Sequence, residues 1–176
     1  MTEHFHDTGF IPLNVAVLTV SDSRSLAEDG SGDTLQARAE AAGHCVVARE
    51  IVRDDVYQLR AVISRWIADP KVQVVLATGG TGVTGRDSTP EAVAPLLDKQ
   101  IEGFGELFRT VSFAEIGAST IQSRAFAGLA NGTFLFCLPG SSGACRTAWD
   151  KILVAQLDHS TRPCNFTQLI PRLLER

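Results

Sequence analysis

Apolar residues in this chain come in short blocks, each closed by a polar or glycine-rich stretch. Asn14 to Val20 is a Val-rich run ending at Ser21-Asp22-Ser23, the pattern of a strand buried on both faces. Asp29-Gly30-Ser31-Gly32-Asp33 is a loop and cap signal before a helix-forming stretch from Thr34 to Ala42, which Gly43 stops. His44 to Val52 alternates enough to form a second strand. Asp54-Asp55 opens the next helix, whose positions Val56, Leu59, Val62, Ile63, Trp66 and Ile67 share one face, with Pro70 just past its end. Val72 to Ala77 is the third strand. Strands alternating with helices in this way predict an α/β fold with a mostly parallel, helix-covered sheet.

The second half reads differently. Pro90 suits the first turn of a helix capped by Ser88 or Thr89 and running to Lys99, and Ile101 to Ile116 is a further helix. Ala125 to Ala130 and Thr133 to Leu138 flank Asn131-Gly132, the preferred two-residue turn between antiparallel strands, so the sheet is expected to be mixed. Phe134, Phe136 and Leu138 fall on one face of the second of these strands. Pro139-Gly140-Ser141-Ser142-Gly143 then leads into a helix from Ala144 to Leu157.

With 176 residues, 44% of them apolar, the chain suffices for one well-buried domain, with residues 1–12 as a mobile arm. A net charge of −4 with scattered Lys and Arg gives no electrostatic reason to expect nucleic acid or an anionic membrane as partner. No apolar segment approaches the roughly 20 residues of a spanning helix. Met1 to Gly9 lacks the layout of a signal peptide, so the expected location is cytoplasmic. Cys45, Cys137, Cys145 and Cys164 form no C-x-x-C pair and read as structural thiols. His4 and His6 read as a chance pair, and His44 and His159 take no role.

The chemistry concentrates where polar clusters follow strand ends: Ser21-Asp22, Arg53-Asp54-Asp55, and the loop Thr78-Gly79-Gly80-Thr81-Gly82-Val83-Thr84-Gly85-Arg86-Asp87. Parallel strands would bring all three to one rim, where such sheets bind ligands. Gly80, Gly82 and Gly85 spell G-x-G-x-x-G, but Arg86 to Thr89 separate the last glycine from the helix start. No acidic residue ends a strand about 20 positions on, which speaks against the dinucleotide reading; the nicotinamide-dependent oxidoreductase that the spacing suggests would require NAD(P) binding. No Gly-Lys-Ser/Thr follows, which rejects a P-loop. What remains is a backbone cradle in which the amides of Gly79 to Gly82 wrap an anion. Asp87 repels a phosphate unless Mg2+ bridges the two; otherwise it serves the turn. Asp54 likewise either shares that metal or places charge at a helix start, and Ser141-Ser142 offers hydroxyls and amides to a polar ligand or caps a helix.

The ordered stretches Thr-Gly-Gly-Thr-Gly, Arg86 to Ala92, Glu102 to Arg109, Ser123-Arg124-Ala125 and Leu138-Pro139-Gly140-Ser141 together resemble the molybdopterin-binding family of molybdenum cofactor biosynthesis, from about Val15 to Phe166. Ala144 to Trp149 and Thr161 to Phe166 are similar to its protein B branch. The resemblance implies a three-layer α/β/α fold with a mixed sheet and molybdopterin as ligand. It also implies adenylyl transfer from ATP with Mg2+ to the terminal phosphate of molybdopterin, or, as the alternative, a carrier that binds molybdopterin without turnover. By the same resemblance Asp54 and Asp87 would be the catalytic, metal-holding pair, with Asp87 holding the metal or positioning the nucleotide and Asp54 as its partner. Gly79, Gly80, Thr81 and Gly82 would cradle phosphate and Pro139, Gly140, Ser141 and Ser142 would line the pterin or nucleotide side; Ser21 and Asp22 at the rim, with Thr89 and Glu91, are further expected binding residues. Arg53 stands where the family often has Pro. A homo-oligomer, trimer or hexamer, and a partner protein for molybdate insertion are further implications.

Overall fold

The computed structural model describes residues 9–175, so His4, His6 and most of the expected arm lie outside the described residues. Phe10, at the arm's end, packs its ring against His44 at 5.0 Å. Among the described residues six strands form the sheet: β1 (Asn14–Val20), β2 (Cys45–Val52), β3 (Val74–Thr78), β4 (Lys99–Gln100), β5 (Phe126–Ala130) and β6 (Thr133–Leu138), in the order β2-β1-β3-β6-β5-β4. β1, β2, β3 and β6 pair in parallel, whereas β5 runs antiparallel to both β6 and β4, giving the mixed sheet. Asn131 and Gly132 both have positive φ, 47° and 81°, as a turn matching the strands' right-handed twist requires.

The period-2 alternation of the buried strands separates two cores. Val15, Val17, Leu76 and Phe136 face one side, where they meet Leu35 of α1 (Gly30–Ala41), Phe104 and Phe108 of α4 (Glu102–Ile116), and Trp149 beyond α5 (Ser142–Ala148). Ala16, Leu18, Val75 and Leu135 face the other, against Leu59, Ile63 and Trp66 of α2 (Val56–Ala68) and Val93 of α3 (Thr89–Val93). Helices on both faces make three layers. Each fully buried Leu, Val or Phe contributes roughly 1.5–3 kcal/mol, so a central strand with no polar face anchors the rim above it firmly. Among the described residues no helix is long and apolar enough to cross a membrane.

Three elements depart from the pattern read in the sequence. α1 starts at Gly30 and not at Thr34, because Asp29 caps it by accepting from the Gly32 amide at 2.9 Å, which turns the expected loop into a first helical turn. The segment after Pro90 is not one helix to Lys99. α3 ends at Val93, one 3-10 turn follows at Ala94–Leu96, and Lys99–Gln100 becomes the edge strand β4. Pro95 contributes to this, since it carries no amide donor with which to continue the helical ladder. The last helix passes through a π-turn at Trp149–Leu153 before α6 (Val154–Gln156).

Candidate functional site

Because β1, β2, β3 and β6 are parallel neighbours, their carboxyl ends share one rim, and a cavity of about 780 Å³ opens there. Ser21, Asp22, Asp54, Gly79, Gly80, Thr81, Gly82, Asp87, Pro139, Gly140 and Ser141 all line it. The topology therefore brings together residues that are far apart in the chain. Thr89, Glu91 and Ser142 do not reach the cavity. Thr89 lies buried beneath the glycine loop, its hydroxyl donating to the Gly79 carbonyl at 2.8 Å and its amide to the Gly80 carbonyl at 2.9 Å. Glu91 pairs with Arg124. Ser142 is the first residue of α5, capped by Ser141, whose hydroxyl accepts from the Ala144 amide at 3.1 Å.

The loop's conformation depends on glycine at two places. Gly79 and Gly80 have φ of 104° and 64°, a region that side-chain-bearing residues rarely occupy. Carboxylates occupy much of the space the glycines leave. A Cβ on Gly80 would lie 2.7 Å from Asp54 Oδ2, and one on Gly82 would lie 2.7 Å from Asp87 Oδ2. The loop is thus closed upon by two carboxylates as well as being open to a ligand.

Asp54 and Asp55 divide the labour that adjacency in the sequence left undecided. Asp55 caps α2, accepting from the amides of Tyr57 and Gln58 at 3.0 and 2.9 Å. Asp54 turns instead to the glycine loop, where its Oδ1 accepts from the Ser88 amide at 3.0 Å and from the Ser88 hydroxyl. Asp87 accepts through Oδ2 from the Thr84 amide and hydroxyl at 2.8 and 2.6 Å. Those Thr84 bonds outweigh partial burial and hold its carboxyl below the usual range, so it is ionised at neutral pH. Asp22 pairs with Arg86 across the mouth, Nε to Oδ2 at 3.0 Å, and that bond lowers its pKa.

A divalent ion fits this donor set. Mg2+ is commonly held by one or two carboxylates, with phosphate oxygens and water completing its shell. Both hydrogen bonds that Asp54 accepts end on Oδ1, leaving Oδ2 beside the loop. Among the described residues there is no cluster of three or more His, Cys, Asp or Glu that would bind a metal unaided. A cation here would rely on the ligand's own phosphates. Cys145, buried below the rim, has its thiol pushed up to about 11 by burial, so it offers no thiolate nucleophile.

Sequence reasoning passed over several contributors. Arg124, seen only as part of a motif, donates to the carbonyls of Gly82 and Asp87 at 2.6 and 2.7 Å and so fixes both ends of the loop. Arg24 lines the cavity and donates to Ser31 Oγ at 3.1 Å and to the Gly140 carbonyl at 3.2 Å. On the α4 side stand Phe108, Ser112 and Glu115, whose carboxylate accepts from the Thr147 hydroxyl at 2.6 Å. Glu115 is exposed on α4, and its bond to Thr147 follows from the packing of α5, which periodicity does not give.

Known proteins with this fold carry related sequences. Residues 16–159 match a family model described as "Probable molybdopterin binding domain". The molybdenum cofactor biosynthesis protein B of Escherichia coli (strain K12) is 57% identical over 159 residues, 90% of this chain and 94% of that protein. Its namesake in Bacillus cereus is 45% identical over 146 residues, 82% of this chain and 86% of that one. A crystal structure of a molybdenum cofactor biosynthesis protein B superposes with a TM-score of 0.84 at 38% identity, covering 94% of this chain and 98% of that chain. The tungsten cofactor synthesizing protein MoaB from Pyrococcus furiosus superposes with a TM-score of 0.72 at 36% identity, covering 81% and 91%.

Proposed function

This chain belongs to the molybdopterin-binding family of molybdenum cofactor biosynthesis, in its protein B branch, and from that premise we propose that it binds molybdopterin at the rim cavity and adenylylates its terminal phosphate with ATP and Mg2+. The observation that carries the reading is the placement of Asp54 and Asp87, each against a glycine of the same cradle loop. In the proposed reaction an oxygen of the terminal phosphate forms a bond to the α-phosphorus of ATP. The bond from that phosphorus to the bridging oxygen breaks, and its electron pair leaves with pyrophosphate. Such a transfer needs alignment and neutralisation of charge more than a protein nucleophile. Mg2+ held by Asp54 and Asp87 would supply that neutralisation. The chain's own contribution is positional: Ser88 orients Asp54, Thr84 orients Asp87, and Arg124 and Thr89 hold the loop between them. The same reading includes a cytoplasmic homo-oligomer, with molybdate insertion left to a partner protein.

Purified protein incubated with molybdopterin, ATP and Mg2+ is expected to yield adenylylated molybdopterin and pyrophosphate. Asp87→Asn, still binding molybdopterin, should lose roughly 10²-fold or more of that rate, the scale of removing one electrostatic contact to a developing charge. Molybdopterin bound by the wild type without product would instead identify a carrier.

A further inference from the structure

Beside the main cavity lies an annex of about 330 Å³, which shares Ser21, Asp22 and Arg24 with it and extends to Arg49 and Arg53. Its charge is uneven once pairing is counted. Both acids that line it are already matched from outside: Asp22 by Arg86, and Glu50 by Arg65. Arg49 is held by Asp29 and Asp33 at 2.8 and 2.7 Å, yet its Nε is buried without a hydrogen-bond partner. Arg24 and Arg53 join no ion pair among the described residues, and Arg24 spends two bonds on neutral oxygens, Ser31 Oγ and the Gly140 carbonyl. Two arginines that join no ion pair therefore line one small open site, and guanidinium is the side chain best matched to phosphate oxygens.

The position of the annex says which phosphate. Arg53 immediately precedes Asp54, and the Asp54 amide donates to Asp22 Oδ1 at 3.2 Å, so the annex begins one residue from the carboxylates that flank the glycine cradle. We propose that the annex lined by Arg24, Arg49 and Arg53 is the pyrophosphate subsite, receiving the β- and γ-phosphates of the nucleotide and holding them as they leave. The assignment rests on the nucleotidyl-transfer reading of the main cavity. It gives a role to Arg53, which the reading itself does not use, and it keeps the leaving group apart from the cavity in which the new bond forms.

Inorganic pyrophosphate titrated calorimetrically into the full-length protein with Mg2+ tests it, with orthophosphate and sulfate as comparison anions. Pyrophosphate should bind more tightly than either. R24Q and R53Q should each weaken it by about tenfold, the scale of one charge-assisted hydrogen bond, while R172Q, an equal change of net charge away from the rim, leaves it unaltered. Molybdopterin affinity and melting temperature of R53Q should match the wild type, which keeps the test decisive if R24Q unfolds. Absence of pyrophosphate binding, or binding by R24Q and R53Q as tight as that of the wild type, overturns the subsite. Arginine-dependent pyrophosphate binding in a protein that forms no adenylylated product would retire the transfer reading and leave the annex as a polyphosphate site. Product formation with arginine-independent binding would do the reverse.

Discussion

Gly80 combines two constraints at one residue, a φ of 64° and a missing Cβ that would sit 2.4 Å from the buried Thr89 hydroxyl. Ala at this position is strained whatever space is made for it, and the hydroxyl it displaces holds the loop through the Gly79 carbonyl. Gly80→Ala is expected to lower stability by about 1–3 kcal/mol and to abolish tight molybdopterin binding, read by denaturant titration and by ligand titration on the folded fraction. Asp29 poses a different problem, a carboxylate with no exposure beneath the rim. Burial opposes its charge, but Arg49, the Gly32 amide and the Thr19 hydroxyl overcome that and hold its pKa below the usual 3.8. A depressed folded pKa means that the stabilisation is complete above 3.8 and is lost as pH falls through the lower, folded value. Asp29→Asn should therefore destabilise by about 3 kcal/mol at neutral pH, the low end for breaking a buried pair because Asp33 remains with Arg49. The gap between variant and wild type should narrow as unfolding is measured at pH below 4. A gap constant with pH would mean that the charge of Asp29 is not what stabilises.

At the scale of elements, the start of α2 separates stability from ligand binding in adjacent residues. Asp55→Ala removes the cap and should cost about 1 kcal/mol in thermal or chemical unfolding with molybdopterin binding retained. Asp54→Ala should do the opposite, because its bonds run to Ser88 and not to its own helix. If both variants lose stability equally and bind equally well, the two aspartates have not divided the roles. The same pair shows what was legible beforehand. Strand blocks, the hairpin turn and the carboxyl-end rim followed from period and turn chemistry, because a fully apolar strand has few alternatives to burial on both faces. Asp54 and Asp87 were legible as candidates because carboxylates beside a glycine cradle have few roles there. Which of Asp54 and Asp55 caps, and that Thr89 lies under the loop instead of in the cavity, depend on where one strand end meets another. Arg24 and Arg124 were hidden for the same reason, since their partners Gly140 and Gly82 are remote in sequence. The short strand β4 was missed because Pro95 breaks an amphipathic pattern that, by periodicity alone, reads as helix.

For the whole molecule, the unresolved economy of apolar surface lies at the end of α4. Phe113, Ile116 and Ile121 are 61%, 56% and 82% exposed in one stretch that runs from the helix into the following 3-10 turn. Large apolar side chains gathered at one place on a surface mark an interaction site more often than chance exposure does. The homo-oligomer proposed with the function would cover them. Ile116, Ser119 and Gln122 of this stretch also line the rim cavity, so assembly and ligand binding should be linked through a shared wall. A ligand that binds the assembled form better must stabilise assembly by the same free energy with which assembly strengthens the ligand's binding. Phe113→Glu combined with Ile121→Glu, neither of which lines the cavity, should reduce the mass measured by light scattering to that of a smaller species and weaken molybdopterin binding in parallel. Adding molybdopterin should shift the double variant back toward the larger mass. An unchanged mass in the double variant would place the subunit contact elsewhere, and a reduced mass with undiminished affinity would show the cavity complete within one chain.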